Sequence, residues 1–168
     1  MEFFRAPYDR LAVALTVVGL AIIGGAGLLF VLLPVPFLAL RLGVPAACLV
    51  IILLTYRYSP RGYSVGPEGI RIHQGLGSTL LPLTSLRAVR RAGPGELCGL
   101  RTFGSGGLFG YFGWFWNRRF GHHLIYARSR HNLVLLEAGR VYLLSPDRPE
   151  EFIQRLGEWR PDLADSAK

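Results

Sequence analysis

The chain has 168 residues, 51% of them hydrophobic, and a formal net charge of +8; this leaves room for one ordinary domain, or for a smaller domain with a membrane anchor. So much apolar content beside so much charge requires the two to be segregated, and residues 11–40 carry no charged side chain while 16 of the 19 Lys and Arg lie from Arg57 onward. All the cations but Lys168 are Arg, a bias that reflects coding composition better than selection for nucleic-acid phosphates, and Cys48 in an apolar run and Cys98 in a Gly/Pro loop give neither a disulfide framework nor a metal spacing.

Leu11 to Leu33 is a run of 23 residues without a charge. At about 1.5 Å per residue a helix of that length crosses a hydrocarbon core of roughly 30 Å, and it is longer than the apolar core of a signal peptide. Pro34 and Pro36 then break the helix. A second run, Phe37 to Tyr56, predicts another span, with Arg41 near enough to its start to reach the headgroups and Pro45 tolerated if the helix begins close to it. Arg5 and Arg10 precede the first span and Arg57, Arg61 and Arg71 follow the second, so the Lys/Arg asymmetry predicts that both termini face the cytoplasm. The expected organisation is a transmembrane hairpin over residues 1–60, a cytosolic domain over 61–160 and a flexible tail over 161–168.

From Arg61 the pattern alternates in short segments broken by turn residues: Tyr63 and Val65, Ile70 and Ile72, then Leu80 onward. After a Gly/aromatic stretch come "HHLIYA", "HNLVLLEA" and "RVYLLS", the last two joined by a tight hairpin at Ala138-Gly139. In "SPDRPEEFIQRLGEW", Asp147 as N-cap with Glu150 three residues on predicts a capping box, and Phe152, Ile153, Leu156 and Trp159 recur at helical spacing. The fold class is α+β, mainly β: about seven antiparallel strands closed by one C-terminal helix.

The segments "GIRIHQGLGSTLLPLTSLRAV", "FGSGGLFGYFGWFWNRRFGHHLIYARSRHNLVLLE" and "VYLLSPDRPEEFIQRL" resemble the bacterial PH-domain family found behind one or two membrane helices. The resemblance covers about Arg61 to Leu156 and implies a PH-like antiparallel barrel capped by the last helix. The first hairpin offers Arg71 and His73 without a lysine cluster, which argues against recognition of a specific inositide.

Phe103 to Trp116 holds seven aromatic residues and five glycines in fourteen positions. Three readings stay open for this stretch, taken as a loop within the barrel: rings folded back into the core, with Gly104, Gly106, Gly107, Gly110 and Gly113 permitting turns; rings at the headgroup level; or a partner surface. The candidate surface residues are Phe109, Tyr111, Phe112, Trp114, Phe115 and Trp116, flanked by Arg118 and Arg119. "GSGGLFG" lacks the sixth-position glycine and the βαβ setting of a dinucleotide fingerprint.

Arg87, Arg90, Arg91, Arg101, Arg128 and Arg130 add to a candidate basic face. The adjacent His122 and His123 point to opposite faces of a strand and do not share a metal. Without a nucleophile, acid/base or metal motif, the expectation is a noncatalytic binding or scaffold module with no cofactor, at the cytoplasmic face of the bacterial inner membrane. The alternative is a lipid- or small-ligand-responsive regulator. The expected partners are the bilayer, anionic headgroups and a membrane or cytosolic protein, not nucleic acid.

Overall fold

The computed structural model describes residues 1–34, 36–93, 95–97 and 99–164; the loop reading of Cys98 lies outside them. Helix α1 runs from Arg10 to Leu32 and α2 from Leu38 to Tyr58, and both are long and apolar enough to cross a membrane. Asp9 starts α1 by accepting the Ala12 N–H at 2.6 Å on Oδ1, which satisfies one of the free amides of the first turn. The helices form a close hairpin: a Cβ added to Gly27 would stand 3.5 Å from the Cβ of Cys48. Pro45 lies inside α2, and the Arg41 guanidinium reaches back toward the Val31 carbonyl at 3.5 Å at the connecting end.

The chain then forms two sheets. The first is antiparallel, in the order β1 (Glu2–Arg5), β2 (Pro60–Gly66), β3 (Gly69–Gln74) and β4 (Ser78–Pro82). The second contains β5 (Ala88–Arg91), β6 (Leu100–Gly107), β7 (Gly110–Asn117), β8 (Gly121–Ala127), β9 (Val134–Glu137) and β10 (Val141–Leu144), in the order β5-β9-β10-β8-β7-β6. Helices α3 (Pro149–Trp159) and α4 (Pro161–Ala164) follow, so the first four residues of the expected tail are helical, and 165–168 lie outside the described residues. The result is a pair of apolar helices, a PH-like pair of sheets and a C-terminal helix.

The structure departs from the sequence reading in three places. Among the described residues the sheets hold ten strands rather than about seven, and β8 and β10 run parallel because residues 128–140, including β9, return the chain to the same end before β10 is laid down. The N-terminus is a strand: β1 pairs with β2, and Phe4 is buried with its ring 5.2 Å from that of Phe152. Four residues are too few for an alternation to show. The capping box does not form. Arg148 occupies the N-cap position without capping the helix amides by its side chain, while Asp147 is drawn across to β1, its N–H donating to the Arg5 carbonyl at 2.9 Å and its Oδ1 accepting the Arg5 N–H at 3.2 Å. Glu150 pairs with Arg91 instead of reaching back to the cap.

The main core lies between the sheets and under α3, where Tyr63, Val65, Ile70 and Ile72 meet Val89, Val134, Leu136, Leu144, Phe152 and Leu156. Tyr63 is held at both ends of its hydroxyl, donating to the Tyr126 carbonyl at 2.5 Å and accepting the Ser145 N–H at 3.0 Å. Burial pushes its phenol up to about 12. The other face of the second sheet packs Tyr111, Phe115, Ile125, Leu135 and Leu143 together with Ala12 of α1. That second core ties the domain to the helical hairpin.

Candidate membrane-surface site

The Gly/aromatic stretch is not a loop but two strands, β6 and β7, turning at Leu108-Phe109. The glycines make the pairing possible. Gly104 and Gly113 oppose each other, and a Cβ on either would come within 2.2 or 2.3 Å of a carbonyl oxygen on the facing strand. Both have φ above +110°, the region where a side chain is strained.

The turn sits on the helices. The Phe109 N–H donates to Thr16 Oγ1 at 2.9 Å, and the same hydroxyl lies 2.7 Å from the Ala12 carbonyl and 3.1 Å from that of Gly107. Thr16 is about 9 Å along α1 from Arg10, at about 1.5 Å per residue, so the tip reaches the apolar part of the helix. At the C-terminal end of α2, the capping residue Ser59 donates through Oγ to the Phe109 carbonyl at 2.6 Å, and the Tyr56 ring packs edge-on to that of Phe109 at 5.7 Å. Phe103, Gly104 and Phe112 face Ile51, Leu54 and Tyr58 across an apolar cavity of about 350 Å³. β6 is the edge strand of its sheet, and Phe103 is 75% and Leu100 71% exposed.

The residues singled out as a surface therefore divide. Tyr111, Phe112 and Phe115 are buried, and Phe109 joins the helix ends. Trp114 lies under the Arg140 guanidinium at 5.0 Å, and Trp116 is exposed. Arg118 and Arg119 lie beyond the other end of β7, roughly 26 Å from the tip at about 3.3 Å per residue. Arg119 there pairs with Glu96 at 2.7 Å. Of the hairpin glycines, Gly107 abuts Leu15 of α1 and Gly110 lies against the Ala127 carbonyl. A Cβ on Gly106 would stand nearest the Arg101 side chain, 3.5 Å from Nη1.

The basic face is split too. Arg90, Arg91 and Arg119 are taken up by Glu96 and Glu150. Burial works to raise the Glu96 pKa, but hydrogen bonds from Arg90 and the Gly93 amide, with the charges of Arg90 and Arg119, hold it below the usual range. Arg10, Arg57, Arg61, Arg101, Arg128 and Arg130 make no ion pair among the described residues. Five of them lie where the helices meet the domain. Arg10 opens α1, Arg57 is in the last turn of α2, and Arg61 stacks on Tyr56 at 5.1 Å. Arg128 Nη2 donates to Ser59 Oγ at 2.9 Å, and the Arg130 N–H donates to Asp9 Oδ2 at 2.8 Å.

Thr16, Ser59 and the separate setting of Arg101, Arg128 and Arg130 were not legible as a site in the sequence. The signal available was that Thr16 is the one hydroxyl within Leu11 to Leu33.

Residues 61–158 match the bacterial PH domain, and the chain belongs to that family. No curated protein and no solved structure matches it.

Proposed function

We propose that the protein is a noncatalytic, membrane-anchored PH module at the cytoplasmic face of the bacterial plasma membrane, with both termini in the cytoplasm. Its β6–β7 hairpin is the part that contacts the bilayer. The observation that carries this reading is the seating of the hairpin tip on Thr16, within an apolar span, with Phe103 exposed on the same hairpin beside α2. The unpaired arginines at the helix ends agree with it, since anionic headgroups favour each such cation by about 1 kcal/mol near the surface. The pairing of β1 with β2 supports both ends of the helical hairpin lying on one side. PH domains are generally binding modules, and a scaffold role for the remaining surface follows from that character.

The docked tip also favours the second reading, a lipid-responsive regulator. A hairpin bonded to both helices and exposed along β6 is placed to pass a change in lipid contact to the second sheet.

The test uses the full chain in nanodiscs containing brominated lipid, which quenches only nearby tryptophan. With Trp114 and Trp116 changed to Phe, Phe103→Trp added and Trp159 also removed, fluorescence should be strongly quenched; Trp159 alone, on α3, should be little affected. Equal quenching at the two positions would remove the bilayer from the reading. A green fluorescent reporter fused to the C-terminus should fluoresce and a phosphatase fusion should be inactive; the reverse pattern overturns the orientation.

A further inference from the structure

A cleft of about 730 Å³ opens beside the second core, lined by Leu97, Arg101, Gly106, Tyr111, Phe115 and Arg130. That size suits a headgroup or small ligand. Three features give it a chemical preference. Arg101 and Arg130 both line it, and neither has a carboxylate partner among the described residues, while Glu96, in the connection that forms one wall, is engaged by Arg90 at 3.0 Å and Arg119 at 2.7 Å. Tyr111 is 3% exposed and its hydroxyl meets no partner in good hydrogen-bond geometry among the described residues; the Arg130 guanidinium, 5.3 Å from its ring centre, and the Asp9 carboxylate both bear on it. A buried hydroxyl left without a partner is costly, and an acceptor oxygen entering the cleft would relieve it. At Gly106 no side chain intrudes on the space beside Arg101.

The cleft also adjoins the membrane helix. Gly107, next to its lining residue Gly106, abuts Leu15, and Arg130 is bonded through its N–H to the α1 cap Asp9 at 2.8 Å. Arg130 lines a second hollow as well, shared with Tyr8, Asp9, Arg10 and Leu11, in which two arginines outnumber the one carboxylate. Leu11 and Leu15 are exposed on α1. Cationic groups beside a strip of exposed hydrocarbon match an amphiphile better than a free ion. Guanidinium forks match phosphate oxygens in particular.

We propose that this cleft binds the phosphate of an anionic phospholipid headgroup, with Arg101 and Arg130 as its cationic contacts, the Tyr111 hydroxyl donating to an oxygen, and the acyl chains lying along Leu11 and Leu15. The proposal rests on the bilayer-surface reading of the hairpin.

Native mass spectrometry of the full chain released from detergent tests it, with phosphatidylglycerol, phosphatidylcholine or glycerol phosphate added. The wild type should retain phosphatidylglycerol over phosphatidylcholine. Arg101→Gln with Arg130→Gln should weaken retention about tenfold or more, and Tyr111→Phe, which keeps the ring packing, should weaken it severalfold, while Arg87→Gln changes nothing. Phosphatidylglycerol retention unchanged in both the double variant and Tyr111→Phe overturns the site. Arginine-dependent capture of glycerol phosphate without phosphatidylglycerol overturns the lipid as source. Should the double variant not fold, Tyr111→Phe alone decides. Quenching of Phe103→Trp by brominated lipid, kept while the lipid adduct proves insensitive, would locate the failure in the cleft and not in the bilayer contact.

Discussion

Ser59 and Arg128 meet where α2 enters the domain: the wholly buried Ser59 hydroxyl accepts the guanidinium at 2.9 Å from Nη2 and 3.3 Å from Nε. The same oxygen donates to the Phe109 carbonyl, so one side chain joins α2, the β6–β7 turn and the segment after β8. Burial pushes the Arg128 pKa down, opposed chiefly by Tyr8, whose ring lies 4.3 Å beneath it. Arginine stays charged under such a shift, so its donors must be met by neutral acceptors and rings.

Ser59→Ala removes that acceptor and that donor together and leaves a buried carbonyl and a guanidinium unsatisfied. The expected cost is about 1–3 kcal/mol, read as a fall of several degrees in the unfolding midpoint in detergent, at about 2–4 °C per kcal/mol for a chain of this size. A midpoint within one degree of wild type would show that the junction is not held here.

Gly104→Ala and Gly113→Ala each place a Cβ 2.2 or 2.3 Å from a facing carbonyl oxygen at positive φ. Neither backbone can move aside without breaking the hairpin, so each variant should lose at least about 2 kcal/mol. Gly24→Ala, with nothing within 4 Å of the new methyl, serves as the matched control. Equal yields of folded protein from all three would contradict the close strand approach.

Thr16→Val keeps the shape and removes the acceptor of the Phe109 N–H. Amide hydrogen exchange at Phe109 should become faster, with a loss of protection of about 1 kcal/mol or roughly fivefold, while Thr16→Ser should retain most of it. Unchanged exchange in the valine variant would detach the tip from α1.

His73 stands 2.7 Å from Ser64 Oγ through Nε2, and its pKa is lowered by burial and then by Arg71. A folded-state pKa below the unfolded value contributes stability that is present above about pH 6.5 and is lost as the pH falls through that value toward the lower folded one. The unfolding midpoint should therefore drop between pH 7.5 and 5.5. His73→Gln should flatten this slope, and parallel curves for the two proteins would exclude His73 as the source.

The sites of error in the sequence reading share a cause. Asp147 and Glu150 have the spacing of a capping box, and spacing alone cannot show that the Arg5 backbone, brought up by β1, outbids the helix end for Asp147. Phe103 to Trp116 reads as a loop because glycine weakens a strand. In the fold Gly104, Gly107, Gly110 and Gly113 stand where a neighbouring strand or helix comes too near for a side chain, and Gly106 alone of the five does not. Arg118 and Arg119 flank the rings in sequence, but a strand of β7's length carries them to the far end of the hairpin.

The sequence by itself determined the two apolar helices, the run of short strands and the amphipathic last helix, because each is written in the spacing of apolar residues along a single segment. The tertiary structure alone decided which arginines are paired with an acid, where the aromatic hairpin rests and what occupies Asp147. Those outcomes depend on pairs 69, 93 and 142 residues apart, Ser59 with Arg128, Thr16 with Phe109 and Arg5 with Asp147. Hydrogen bonds reach about 3 Å in space and leave no period in the chain.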